Sequence, residues 1–202
     1  MVGHYCTLRR PQPNDAAALF EAYSQDTTGQ SWTYLPDALP TTAMAFETWF
    51  QATCFTDDPR FYVIFNADGA AVGLASYLRI NPKDGVIEVG YIIMSPLMQR
   101  SRISTEAMFL MMRHVFDDLR YRRYEWKCDH LNAPSRAAAG RLGFTFEGIF
   151  RQATHYKGRN RDTAWLSILD TEWPAQKARF ERYLDPSNFD DQGRQRTPLA
   201  RD

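Results

Sequence analysis

The sequence predicts an α/β fold of the α+β kind, a single domain with one mixed sheet covered by helices on both faces. Three observations predict it. Apolar residues recur at helical spacing near the N-terminus, the period changes to two between about residues 61 and 94, and strands then alternate with helices through short connections. A chain of 202 residues, 44% hydrophobic and 14% aromatic, buries about 70% of its unfolded surface, so its core needs no disulfide or metal staple. Its 24 basic residues balance 24 acidic ones, which argues against a phosphate-tracking nucleic-acid binder.

Taken in order, Tyr5–Leu8 reads as a short strand stopped by Arg9-Arg10-Pro11-Gln12-Pro13. Asn14 or Asp15 can cap a helix to about Tyr23, with Ala16, Leu19, Phe20 and Tyr23 at helical spacing. Residues 29–40 form a loop with apolar cargo, Trp32, Tyr34 and Leu35. Residues 42–55 form a second helix with Phe46, Trp49 and Phe50 on one face. Strands over 61–65 and 71–80 turn on Asn66-Ala67-Asp68-Gly69, and a further tight turn leads into a strand over 86–94. Ser104 or Thr105 opens a helix to Leu119 whose Met108, Met111 and Met112 are a core stripe.

A strand follows over 121–128. Asn132-Ala133-Pro134-Ser135 then opens a short helix, because Asn caps and Pro is tolerated in the first turn, and Gly143 ends it. Residues 144–156 and 163–169 pair about Lys157-Gly158-Arg159-Asn160. That basic tip reads as a solvated hairpin, with an acidic acceptor or a second copy of the chain, giving a homodimer, as its other candidate partners. The domain is expected to span residues 1–184, followed by a polar, mobile tail over 185–202.

No apolar run approaches the roughly 20 residues that span a bilayer, and Met1–Arg10 has no apolar region of a secretory signal, so no membrane partner is expected. Cys6, Cys54 and Cys128 are widely spaced with no C-x-x-C, which fits reduced thiols in the cytoplasm and no metal site. A buried thiol is also the plain reading of Cys128.

The chemistry concentrates between residues 86 and 119. A strand feeding a helix through a short loop presents unsatisfied amides and the positive end of the helix dipole, a ready place for phosphate. Gln99-Arg100-Ser101-Arg102-Ile103-Ser104 adds two guanidiniums. On chemistry alone, a solvated surface loop fits equally well.

Val86-Ile87-Glu88-Val89-Gly90-Tyr91-Ile92, Ser95-Pro96, the loop and Thr105-Glu106-Ala107 together resemble the central motif of the GNAT acetyltransferases. The nearest likeness is to the branch of the ribosomal-protein N-terminal acetyltransferases. Asn132-Ala133-Pro134-Ser135, then Arg141-Leu142-Gly143-Phe144 and Phe146-Glu147-Gly148, resemble that branch's second motif at the right separation. The likeness spans roughly residues 5–173. It implies a largely antiparallel GNAT-like sheet with a splayed central strand pair, and acetyl-CoA as co-substrate without a metal. The implied activity is direct acetyl transfer to a primary amine, on a peptide N-terminus or a small molecule. The loop departs from the family pattern: its two glycine positions hold Arg102 and Ser104, and Arg100 and Arg102 offer compensating phosphate contacts.

The resemblance places the pyrophosphate on Gln99, Arg100, Ser101, Arg102, Ile103, Ser104 and Thr105. It puts the pantetheine arm and thioester on the backbone of Ile92, Ile93 and Met94 and on Asn132, and Ser135 near the sulfur as donor to the leaving thiolate. Asn132 is also a plain helix cap. The carboxylate that the branch uses as base falls at Thr154, which cannot do the job, so Glu88 and His155 are the candidates left. Glu88 also reads as a structural partner for an arginine, and His155 as an edge residue. Trp32, Tyr34 and Trp49 are expected on the acceptor side, or as core packing. The alternative from a different class is a non-catalytic CoA-binding or partner-binding module that keeps the fold, motivated by the altered loop and the missing carboxylate.

Overall fold

The computed structural model describes residues 1–199. Seven strands and five α-helices make a mixed α/β fold, distributed over two compact units. The first comprises Met1–Ile80 with Glu88–Ala107, and the second Asn81–Ile87 with the chain from Met108 onward.

In the first unit, β1 (Cys6–Arg9), β2 (Arg60–Asn66), all but the last residue of β3 (Ala71–Asn81) and all but the first two of β4 (Val86–Met94) lie in that order. β1 with β2 and β2 with β3 are antiparallel, in registers such as Leu8↔Ile64 and Val63↔Leu74. Helices α1 (Asp15–Ser24) and α2 (Ala43–Thr53) bring Leu19, Tyr23, Phe46 and Phe50 into one apolar core with Phe61, Val63, Leu74 and Ile93. Thr42 caps α2 by accepting from the Ala45 amide at 3.2 Å. At α1 the cap is different from a simple Asn. Asn14 makes no side-chain capping bond, and Asp15 instead accepts from the Gln12 amide at 2.7 Å and from both Arg9 Nη atoms.

The first unit also contains the start of α3 (Arg102–Arg113), two residues before the expected opening at Ser104. Ser101 Oγ donates to the Met98 carbonyl at 2.7 Å, and Ser104 Oγ to the Ser101 carbonyl at 2.8 Å. The serines therefore tighten the preceding turn instead of capping a later one. The helix also stops short of Leu119. From His114 to Asp118 the chain is a π-type turn, in the second unit, where Asp117 accepts from Trp173 Nε1 at 2.7 Å and Lys177 Nζ at 2.6 Å.

In the second unit β5 (Arg123–Asp129), β7 (Arg159–Leu169) and β6 (Thr145–Tyr156) lie in that spatial order and are antiparallel. The period of two sends Tyr124, Trp126 and Cys128 to one face, where Phe144 meets both aromatic rings. Arg123, Glu125, Lys127 and Asp129 take the other. α4 (Ala133–Arg141) ends at Gly143, whose φ of +100° suits glycine, and a Cβ there would strike Gln176 and Arg179. The β6–β7 turn is tighter than expected: Lys157 and Gly158 alone are central, both at positive φ, and β7 begins at Arg159.

Sequence reading assigned no element to α5 (Trp173–Leu184). Its Trp173 and Phe180 stack on Phe116 and Phe109. The segment expected to be a mobile tail makes local contacts over its described part. Residues 186–188 form a 3-10 turn, Phe189 is buried, Tyr183 Oη donates to Gln195 at 2.7 Å, and Asn188 Nδ2 donates to the carbonyls of Tyr183 and Thr197. Its few apolar residues and one asparagine bond network hold it. Residues 200–202 lie outside the described residues.

Candidate active site

Expected site residues fall in both units, and each part is built locally. In the first, β4 carries Glu88 and the strip Ile92–Met94. Tyr91 sits between them at φ +45°, a left-handed residue inside a strand, with its ring against Phe61 at 5.2 Å. Such a residue breaks the regular alternation of the strand. The carbonyls expected to meet the pantetheine already have side-chain partners: Ile93 accepts from Tyr23 Oη at 3.1 Å and Met94 from Gln99 Nε2 at 2.9 Å. The Ser95 hydroxyl, which sequence reading passed over, is buried without a partner among the described residues immediately after this strip.

The loop that follows is anchored by Met98, fully buried, while Gln99 and Arg100 are exposed. Glycine is absent from both family positions, and the backbone shows how the loop manages. Arg102 opens α3 and Ser104 lies within it, and neither is at positive φ. The left-handed residue is Arg100, at φ +55°. Ser101 and Ser104 Oγ both donate to carbonyls, and the start of α3 carries the positive end of the helix dipole. The arginines differ: Arg100 is exposed, whereas the Arg102 guanidinium lies over the Tyr5 ring at 4.3 Å. Thr105 is buried and Ile103 half-buried.

Glu88 is buried, and its Oε2 accepts from Arg79 Nη1 at 2.7 Å, so the structural partner read as one alternative is present. Arg79 is itself left-handed, at φ +49°, and its amide donates to Asp58. The aromatic loop folds onto the core. Trp32 is buried, Tyr34 and Trp49 are half-buried, Trp32 and Trp49 meet edge to face at 5.1 Å, and Trp49 Nε1 donates to Asp37 Oδ2 at 3.1 Å. Trp32 is thus core, and Trp49 has a core ring with a polar tip. A cavity of about 400 Å³ is lined by His4, Cys6, Thr7, Arg9, Phe65 and Asn66, none of them an expected site residue.

In the second unit the structure brings Asn132 and Ser135 together at the start of α4, where Asn132 Oδ1 accepts from the Ser135 amide at 3.1 Å. The Asn132 amide group has no partner among the described residues, so the cap leaves it available. Ser135 Oγ accepts from Trp126 Nε1 at 3.0 Å. An indole N–H only donates, so this bond uses an oxygen lone pair and leaves the hydroxyl proton to be given elsewhere. Cys128 is close enough to feel Ser135, yet burial keeps its thiol above the ordinary range, so it is no ready nucleophile. His155 and Thr154 are exposed on β6.

Behind Asn132 stands an acid that sequence reading did not single out. Asp129 is buried, accepts from the Leu131 amide at 2.9 Å and from Tyr156 Oη at 2.7 Å, and pairs with Arg159 Nη2. Burial pushes its carboxyl up, but these donors outweigh that and hold it below its ordinary value. The Tyr156 phenol is pushed up to about 12 by burial and by Asp129. Among the described residues no cluster of His, Cys, Asp or Glu is built to hold a metal, and no helix is long and apolar enough to cross a membrane.

Residues 6–145 match the family model described as an acetyltransferase (GNAT) domain. The chain is similar to the crystal structure of a GCN5-related N-acetyltransferase from Brucella melitensis, with 46% identity and a TM-score of 0.95, covering 98% of this chain and 90% of that one. It is 26% identical over 185 residues to the Bacillus subtilis protein YdaF, provisionally named a ribosomal N-acetyltransferase, covering 87% of this chain and 97% of that protein. The Escherichia coli ribosomal-protein-serine acetyltransferase is 31% identical over 114 residues, 56% of this chain and 63% of that protein.

Proposed function

The chain belongs to the GNAT acetyltransferase family, which uses acetyl-CoA, and on that premise we propose how its residues divide the transfer of an acetyl group to a primary amine. The observation that carries the reading is the Trp126–Ser135 bond. It holds Ser135 Oγ through a lone pair, and the hydroxyl, which already neighbours the Cys128 sulfur, is the donor we assign to a leaving thiolate, where a donor matters most as charge grows on sulfur. Asn132 keeps its amide for the pantetheine while capping α4. The first turn of α3, with Arg100 beside it, takes the pyrophosphate. Arg102, held over Tyr5, adds charge from a fixed position.

Of the two candidate bases, we assign Glu88. It is a buried carboxylate on β4 paired with Arg79, and in this reading it accepts the amine proton through water. His155, exposed on its strand, has no such setting. The three buried free cysteines suit a reducing compartment, which makes the cytoplasm the proposed location. The acceptor is a primary amine, on a peptide N-terminus or a small molecule.

The test is thiol release from acetyl-CoA over a panel of amines and N-terminal peptides, with Ser135→Ala. The variant should lose up to about a hundred-fold in kcat, with little change in the KM for acetyl-CoA. An unchanged kcat in an assay limited by chemistry removes Ser135 from the reaction. Absence of any CoA-induced thermal stabilisation, expected at about 2.7 kcal/mol for ligand at a hundred times Kd, removes the cofactor reading with it.

A further inference from the structure

The turn between β5 and α4, which carries Asn132, is held from two sides by one residue. Asp129 closes β5, and its main-chain carbonyl accepts from the Asn132 amide at 2.9 Å. Its Oδ1 accepts from the Leu131 amide, also at 2.9 Å. The second carboxylate oxygen meets the β6–β7 hairpin. Oδ2 accepts from Tyr156 Oη at 2.7 Å and from Arg159 Nη2, and that same Nη2 donates to Tyr156 Oη at 3.0 Å. The three side chains thus close a ring of hydrogen bonds. Tyr156 ends β6 and Arg159 opens β7, directly opposite one another across the turn Lys157-Gly158. A main-chain bond runs beside the ring, from the His130 amide to the Asp162 carbonyl at 2.8 Å.

Stability alone is a poor reason for this ring. Asp129 is 1% exposed, and burying a carboxylate costs roughly what its pairing returns. What the ring supplies is direction. With both oxygens used, the carboxylate fixes one geometry of the turn. Asn132 Oδ1, accepting from the Ser135 amide at 3.1 Å, then points its amide group one way.

We propose that Tyr156 and Arg159 are positioning residues for the cofactor: through Asp129 they set the turn that aims the Asn132 amide at the pantetheine arm. The inference rests on the acetyl-transfer reading and deepens it. The basic tip that reads from sequence as a solvated hairpin thereby becomes part of the cofactor half of the site. Both residues act through Asn132 and need not touch the cofactor. The nucleotide end of CoA is assigned to the loop before α3 and not to this turn, so the two ends of the cofactor can be tested apart.

The experiment compares, by calorimetry, binding of CoA and of 3′-phospho-ADP, its nucleotide half, to the natural chain, Tyr156→Phe, Arg159→Gln and Arg159→Lys. The side-chain amide resonances of Asn132, identified by their loss in Asn132→Asp, are followed by NMR in the same titrations. Tyr156→Phe and Arg159→Gln should each weaken CoA about ten-fold and leave 3′-phospho-ADP within about two-fold. Arg159→Lys keeps the charge and should recover most of the CoA affinity. In thiol release the loss should fall on the KM for acetyl-CoA, with kcat within about three-fold. The Asn132 resonances of the natural chain should move with CoA and not with 3′-phospho-ADP, and that movement should shrink in Tyr156→Phe and Arg159→Gln. Arg159 is partly exposed, so Arg159→Gln tests the idea even if Tyr156→Phe unfolds. Equal weakening of both probes, or unchanged CoA affinity in a folded Arg159→Gln, overturns the positioning role and leaves the transfer reading standing. A CoA affinity that depends on Arg159, with no thiol release on any amine, keeps the positioning role and sinks the transfer reading. A natural chain that binds no CoA ends both.

Discussion

Glu106 in the first unit and Asp129 in the second are buried to similar degrees, 4% and 1% exposed, but their charges are compensated by different means. Glu106 accepts from three successive backbone amides, those of His4, Tyr5 and Cys6, at 2.6–2.7 Å. Asp129 has one amide, a phenol and a guanidinium. The same contrast runs outward in part. In the first unit Asp58 likewise holds the amides of Arg79 and Ile80 and Asp26 those of Thr28, Gly29 and Ser31, while Asp15 and Glu88 there pair with Arg9 and Arg79. The second threads side-chain ion pairs across its sheet: Arg123 to Glu125 and Glu147, and Lys127 to Glu125 with its ammonium over Trp165. Backbone donors cannot be titrated or mutated away and need no partner chosen by sequence. Side-chain partners tune to pH and salt and can be lost singly.

The largest effect should come from breaking the backbone arrangement. Glu106→Ala strands three amides at the β1–α3 junction, each worth roughly 1–3 kcal/mol when left unsatisfied. The melting temperature should fall by about 10 °C for a chain of this size. Calorimetry showing a loss under about 1 kcal/mol would mean that water replaces the carboxylate and that the two units do not differ in this way.

Asp129→Asn should cost less, about 2 kcal/mol at neutral pH, because Arg159 is partly exposed and escapes to solvent. Its signature is in the pH dependence. The Asp129 carboxyl is held below its ordinary 3.8 in the folded chain, so its stabilisation is present above that value and is lost as pH falls below it. Tyr156 runs the other way. Its phenol rises from an ordinary 10.0 to about 12, so its contribution is full below pH 10 and declines toward 12. In urea titrations across pH, the variant should show weaker dependence at both ends. Parallel curves for the variant and the natural chain would show that the network contributes no linkage.

The smallest effect has the opposite sign. Arg100 at φ +55° is strained where Gly143 at φ +100° is at ease. Arg100→Gly should therefore stabilise the first unit by up to about 1 kcal/mol, while weakening CoA binding through the lost guanidinium. A variant both less stable and unchanged in CoA affinity would show that the arginine side chain packs on the loop and stands clear of the phosphates.

The sequence by itself determined the element order as far as β7, the strand β4 to its ends and the short helix behind its Asn cap. These follow from local periodicity, turn chemistry and motif spacing, which a linear chain displays directly. The resemblance to the family's motifs pointed to the family and to Asn132 and Ser135, and the cap that joins those two was legible because a cap and its first turn are neighbours in sequence. α5 escaped because its apolar residues stack on Phe109 and Phe116, more than 50 positions back. The start of α3 escaped because Ser101 and Ser104 can either cap or donate, and only the path of the preceding turn chooses. Tertiary structure alone decided that Glu106 ties down residues 4–6, that Arg79 holds Glu88, that Trp126 orients Ser135 and that Asp37 meets Trp49. Each of these is a pairing between a group whose chemistry the sequence states and a partner that only the folded path of the chain brings within 3 Å or so of it, since hydrogen bonds fail steeply with distance and angle while sequence separation carries no distance at all.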